Sequence, residues 1–344
     1  MNTLERFIGR GVQYVGLVPR RSATGLIAEV YAQAEREFQL APPLTVHSPA
    51  PRLLAAVWSA TRETLIVGDG RVMKEAIAAS VSAANACPYC VDVHSVMLEA
   101  GSRREVAVAI AGGRADELVD EEARATLQWS LATPLSAPAG TTTAQLGTAI
   151  VFHYVNRVVN VFMREGSPLA LPSGLGWLRG GLSAVAARTV GRTTLNKPAA
   201  PGASLGLLAD LEVRSGIRWI DEHPTIGPSL ARLFAVAGEG VRGLMSAESR
   251  ATIEGALLGW RGEDPPLGRG WLDRALAGIH ADDVPGARLA LLTARCAYQV
   301  GTEDVALFRA CHASDEALVQ LVGFGAAAAA RRVATWLGPG EVRS

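Results

Sequence analysis

Two cysteines three residues apart, Cys87 and Cys90, are followed by His94 and preceded by Glu75 in the segment KEAIAASVSAANACPYCVDVHSVMLEAG (74–101). These side chains suit thiol redox chemistry. A thiolate attacks an electron-poor oxygen or sulfur, and a second thiol nearby can close a disulfide on the product. An imidazole moves a proton near neutral pH, and a carboxylate can serve as base. The same residues admit a rival, a zinc half-site of Cys87, Cys90 and His94. Structural zinc commonly takes four ligands from two separated pairs, and no second CxxC or HxxxH occurs in the chain. The redox pair is the stronger reading.

The elements that must position this set are legible around it. Apolar spacing predicts a helix from about Val72 to Ala84, a break at Asn85 and Ala86, and a second helix to Ala100, stopped by Gly101. Pro88 suits the first turn of that second helix, where a missing N–H costs nothing. Cys87 then falls near the N-cap and Cys90 in the first turn, within disulfide range of each other. The partial positive charge of a helix N-terminus favours a thiolate there. His94, four residues after Cys90, shares its helix face. If the two helices fold back as a hairpin, the Glu75 carboxylate reaches the cluster.

A Glu, a Cys-x-Tyr-Cys beginning twelve positions later and a His four residues after the second Cys resemble the AhpD/carboxymuconolactone decarboxylase superfamily, here as Glu75, Cys87, Tyr89, Cys90 and His94. The resemblance implies an AhpD-like helical bundle and a thiol-dependent peroxidase. It makes Cys90 the peroxidatic thiol, Cys87 the resolving thiol, and Glu75 with His94 the proton relay. Tyr89 stands where the best-known members carry a histidine. The implied partners are a hydroperoxide substrate and a thiol reductant, a lipoyl-bearing protein being one candidate; no organic or metal cofactor is required. Two alternatives stand beside it: a decarboxylase acting on lactone acids, against which the CPYC pair argues, and a non-enzymatic redox sensor whose disulfide switches a partner surface.

The rest of the chain reads as all-α. Segments 52–77 and 232–256 align in order, with an offset of 180 at Arg52 and Arg232 and 179 at Glu75 and Glu254. The reading is two pseudo-repeats, the second lacking the CxxC pair and carrying DPPLGRGW (264–271) in its place. Four parts are expected: a helical arm over 1–45 with an N-cap at Ser22 or Thr24, a unit with the redox pair over 46–166, a Gly/Pro-rich connector over 167–206 with a short helix near Leu182 to Thr189, and a degenerate unit over 207–344. Within FHYVNRVVN (152–160), His153, Tyr154, Asn156 and Arg157 either line the active cavity or form a polar network between helices; the network is preferred. Trp58, Trp129, Trp260, Trp271 and Trp336 are expected in the core or at interfaces, and Cys296 and Cys311 as buried hydrophobes.

At 344 residues with 49% hydrophobic residues the chain can build a large core. A formal net charge of zero gives no reason to expect nucleic acid or an anionic membrane as partner. Charges at Glu5, Arg6 and Arg10 interrupt any leader-like apolar run, and no stretch approaches the roughly 20 apolar residues of a membrane span. A cytoplasmic protein that assembles as a homo-oligomer is expected.

Overall fold

The computed structural model describes residues 11–131, 137–163, 194–195 and 197–338. The predicted short helix near Leu182 to Thr189 lies outside them. The chain is all-α, and among the described residues the sole β feature is an isolated bridge between Val12 and Met163. In chain order the main helices are α1 (Gly25–Glu37), α2 (Pro51–Thr61), α3 (Arg71–Ala84), α4 (Pro88–Ala100), α5 (Arg104–Ala111), α6 (Glu121–Leu131) and α7 (Thr143–Phe162). They continue as α8 (Ile226–Gly240), α9 (Ala247–Ala256), α10 (Gly270–Ala275), α11 (Val284–Cys296), α12 (Thr302–Cys311) and α13 (Asp315–Leu337).

Helix starts follow local chemistry. Proline occupies the first turn of α2 and α4, where the helix has no use for an N–H. Thr142 caps α7 with a full capping box: its hydroxyl accepts from Gln145 N at 3.2 Å while the Gln145 side chain accepts from Thr142 N at 2.7 Å. Thr24 is the N-cap of α1, as one of the two expectations had it, but its side chain makes no capping bond.

The axis of the molecule is α7. It is buried along nearly its whole length, against α3 on one side and α13 on the other. Helices α2 and α8 pack together, and α11 lies along α13. The fit between α13 and α11 needs a glycine: a Cβ at Gly325 would stand 2.5 Å from the Ala290 carbonyl oxygen. One apolar cluster runs from Val30 in α1 to Leu337 in α13, and a smaller one joins α3, α4, α5 and α6 around Leu98 and Leu127. Burial of a Leu or Ile side chain stabilises by roughly 1.5–3 kcal/mol, so the hairpin carrying the cysteines is anchored on both sides.

Two sequence expectations are corrected. Helix α13 is long and apolar enough to cross a membrane by length and composition, against the reading that no stretch approaches this; 78% of its apolar window is buried against other helices. A helix buried along most of its length needs no polar face there. Cys311 is exposed rather than buried, because it ends α12 on the solvent side, whereas Cys296 is buried.

Candidate functional site

The turn between α3 and α4 sets the position of both thiols. Helix α3 ends with Asn85 as C-cap and Ala86 in a left-handed conformation at φ 50°. Ala86 N donates to Ala83 O at 3.1 Å and Cys87 N to Ser82 O at 2.9 Å, the pattern of a Schellman ending with alanine where glycine is usual. Cys87 is at once the end of this motif and the N-cap of α4. The predicted bounds of both helices therefore hold to within a residue.

The Cys87 and Cys90 sulfurs lie 2.9 Å apart as free thiols, both buried. Burial, together with the neighbouring Cys87, pushes the Cys90 thiol well above its usual value, while the polar side chains of Asn156 and Ser82 pull it back. The first turn of α4 adds amide groups with no helical partner, which favour negative charge at this point.

Glu75 is completely buried and carries two partners. His94 Nδ1 lies 2.5 Å from Glu75 Oε2, and Arg71 Nε donates to Oε1 at 2.6 Å. Burial alone would raise this carboxyl, but Arg71 and His94 outweigh it and hold it at about 2. Glu75 is thus an anion at neutral pH that orients His94, with Nδ1 committed to it and Nε2 left for the other side of the ring. Phe152 meets the His94 ring edge-on at 4.6 Å between centroids.

On the far side of Cys90, α7 supplies a polar network. Asn156 Nδ2 donates to Ser82 Oγ at 2.9 Å, and Asn85 Nδ2 donates to Asn156 Oδ1 at 3.1 Å. Arg157 Nη1 donates to Asn85 Oδ1 at 3.1 Å and to His153 O at 2.7 Å, and Arg157 Nε donates to Ala294 O in α11 at 2.8 Å. Burial first, then Arg157, holds His153 well below its usual value, so the ring is neutral. Tyr154 faces elsewhere: its hydroxyl meets His47 Nε2 at 3.0 Å.

A cavity of about 200 Å³ opens onto the thiol. Tyr89, Cys90, Val93 and His94 form one wall, Phe152 and Val155 a second, and Val57, Trp58, Thr61, Leu65 and the segment 38–44 the rest. Its lining contains no Asp, Glu, Lys or Arg. Cys87, Glu75, Tyr154, His153, Asn156 and Arg157 are not part of it; the last three form the network behind the sulfur. Burial, then the two cysteines, keeps the Tyr89 phenol raised and protonated.

Sequence reasoning missed Arg71, which is four residues before Glu75 and reads as an ordinary surface i,i+4 pair. It also missed Trp58 and the 38–44 wall, which reach the site only through the tertiary fold. Among the described residues no group of three His, Cys, Asp or Glu is arranged to hold a metal ion.

The chain is 34% identical over 335 residues to an alkyl hydroperoxide reductase of Mycobacterium tuberculosis, a match that covers 95% of each protein. No protein-family model matches the chain, and no solved structure matches it.

Proposed function

The chain belongs to the AhpD-like alkylhydroperoxidase family, and from that premise we propose that it reduces organic hydroperoxides through the Cys87–Cys90 pair. The Cys90 sulfur is the attacking atom because it lines the cavity, whereas Cys87 does not. His94 Nε2 takes the thiol proton. The thiolate attacks the terminal oxygen of the hydroperoxide; an S–O bond forms, the O–O bond breaks, and the departing alkoxide takes the proton from His94 to leave as an alcohol. Cys87 then attacks the sulfenic sulfur, the disulfide forms and water leaves. Two electrons from a dithiol restore both thiols, and the family resemblance points to a dihydrolipoyl-type donor.

Glu75 acts through His94. A carboxyl held at about 2 is a weak base, but its charge steadies an imidazolium and fixes which ring nitrogen faces the cavity. Walls of Trp58, Phe152, Leu44 and Val57 suit a hydroperoxide with an uncharged apolar group. The observation that carries this reading is the juxtaposition of two thiols at 2.9 Å with one of them on an apolar cavity beside a carboxylate-bound imidazole.

Titration of the reduced protein with cumene hydroperoxide tests it. Loss of two thiols per hydroperoxide consumed, abolished by Cys90→Ser, is the expected result. Thiols inert to hydroperoxide would overturn the reading.

A further inference from the structure

A second, smaller cavity of about 40 Å³ lies where α7, α11 and the stretch between Leu257 and α10 come together. Among the described residues it shares no lining residue with the apolar cavity. We propose that it is a binding site for a compact oxyanion, a carboxylate or phosphate-type group, held by the guanidinium groups of Arg157 and Arg295. The inference stands apart from the hydroperoxide reading, since it involves neither thiol of the redox pair.

Arg157 is 95% buried, being 5% exposed, and among the described residues it has no carboxylate at ion-pair distance. Its Nε donates to Ala294 O at 2.8 Å, and its Nη1 to Asn85 Oδ1 at 3.1 Å and to His153 O at 2.7 Å. All three acceptors are neutral, and Nη2 has no partner among the described residues. Burial lowers the guanidinium only to about 10, so it is a cation at neutral pH. Taking such a charge out of water costs several kcal/mol, roughly, unless an opposite charge offsets it.

Arg295 repeats the pattern from α11. Its Nε is buried with no hydrogen-bond partner among the described residues. The carboxylate that comes within ion-pair distance is Glu263, whose Oε1 stands 3.9 Å from Nη2, beyond hydrogen-bond reach and on an exposed side chain. Both guanidinium groups lie over the Trp260 ring, 5.4 Å from its centroid for Arg157 and 5.7 Å for Arg295. Trp271 adds a second aromatic face to Arg295 at 5.4 Å. An aromatic face offsets part of a cation's desolvation and leaves its N–H groups for an acceptor. Two like charges gathered on one indole are most stable with an anion between them.

The lining decides the class of ligand. Cys296 is part of it, but burial pushes its thiol up to about 11, so it is not the counter-anion. Asp264 is the acidic group of the lining; it is exposed, and its Oδ1 already accepts from the Tyr298 hydroxyl at 3.2 Å. Two cations against one exposed carboxylate leave the cavity positive. Its volume has room for on the order of three waters, which suits one carboxylate or phosphate group and excludes a nucleotide or an acyl chain. Guanidinium forks match the paired oxygens of such groups, whereas a halide offers one point of charge.

The test is thermal unfolding as inorganic phosphate, or in a second series acetate, replaces chloride at constant ionic strength and pH 7. A ligand of the folded state should give a saturable rise in melting temperature, about 2 °C at ten times the half-saturating concentration. The rise should be absent in Arg295→Gln, and its half-saturation should fall several-fold in Asp264→Asn, which removes the competing charge. A rise with phosphate alone identifies a tetrahedral anion and one with acetate alone a carboxylate; either supports the site. No rise with either anion, or a rise that ignores both substitutions, overturns the proposal. If Arg295→Gln does not fold, crystals of the unsubstituted protein in sodium selenate decide. A selenium anomalous peak between the Arg157 and Arg295 guanidinium groups is expected, and its absence there would overturn the proposal equally.

Discussion

The α3–α4 hairpin and the stretch from α9 to α10 hold Glu75 and Glu254, the two glutamates that the sequence reading pairs, yet they treat them in opposite ways. Glu75 is sealed between Arg71 and His94, whereas Glu254 is exposed beside a groove lined by Arg331 and Phe234. The cause lies in the turns. Ala86 and Cys87 close α3 onto α4 with no residue to spare, so the two helices share a long interface that shuts Glu75 away from water. After α9 the chain runs from Leu257 through Trp260 and a non-helical stretch before α10, and among the described residues Glu254 is left exposed. A glutamate at an aligned position does not make a site; a tight reversal that buries it with its cations does. The second region still serves the first, since Trp260 and Ala294 hold Arg157 in place.

The largest test of this contrast is the pair Glu75→Gln and Glu254→Gln. Removing the buried charge strands the Arg71 guanidinium, and breaking such a pair costs about 3–5 kcal/mol. Urea unfolding should show a loss of that order for Glu75→Gln, with hydroperoxide reduction strongly impaired. Glu254→Gln should stay within about 0.5 kcal/mol of the parent, with unchanged turnover. Equal effects at the two positions would erase the distinction.

Acid should next weaken the helices packed around that hairpin. His47, held down to about 4 by burial, and His153, lowered by burial and Arg157, are neutral when folded but take up protons when unfolded. For lowered groups, stability is full above the unfolded value of about 6.5 and drains as pH falls towards the folded value. His47 alone implies a loss on the order of 3 kcal/mol by pH 4. Glu75 extends the loss below about 4.3 towards about 2, where its folded value lies. Denaturant midpoints at pH 7, 5.5 and 4 should therefore fall steadily; a flat profile would contradict the buried neutral state of these rings.

Trp260→Leu tests the service the second region renders. Losing the stack on Arg157 should cost about 1–2 kcal/mol in urea unfolding; an unchanged midpoint would show that the stack does not hold Arg157. Smallest is Ala86→Gly. Relief of the left-handed strain should stabilise by up to about 1 kcal/mol in thermal unfolding, and destabilisation would argue against the observed turn.

Much of the site was readable from local pattern. Pro88, Gly101 and the apolar spacing define the hairpin, and the Cys-x-x-Cys spacing at a helix start brings the sulfurs together. What escaped depends on burial and on distance along the chain. Arg71 with Glu75 looks like a solvated i,i+4 pair until α4 covers it. The Asn85–Asn156–Arg157 chain spans about seventy residues, and its anchor at Ala294 lies far beyond that. Tyr154 shares a helix with Asn156 but turns to His47, a separation of 107 residues that no periodicity shows. The all-α class was legible because alanine- and leucine-rich periodicity runs through the whole chain.

The central claim is that the Cys90 sulfur attacks the hydroperoxide oxygen and that Cys87 is the thiol that follows. Cys87→Ser treated with one equivalent of cumene hydroperoxide and then dimedone, with the adduct located by mass spectrometry, tests it directly. The adduct is expected on Cys90. An adduct absent from Cys90, or the converse experiment on Cys90→Ser placing it on Cys87 at the same rate, would contradict the account.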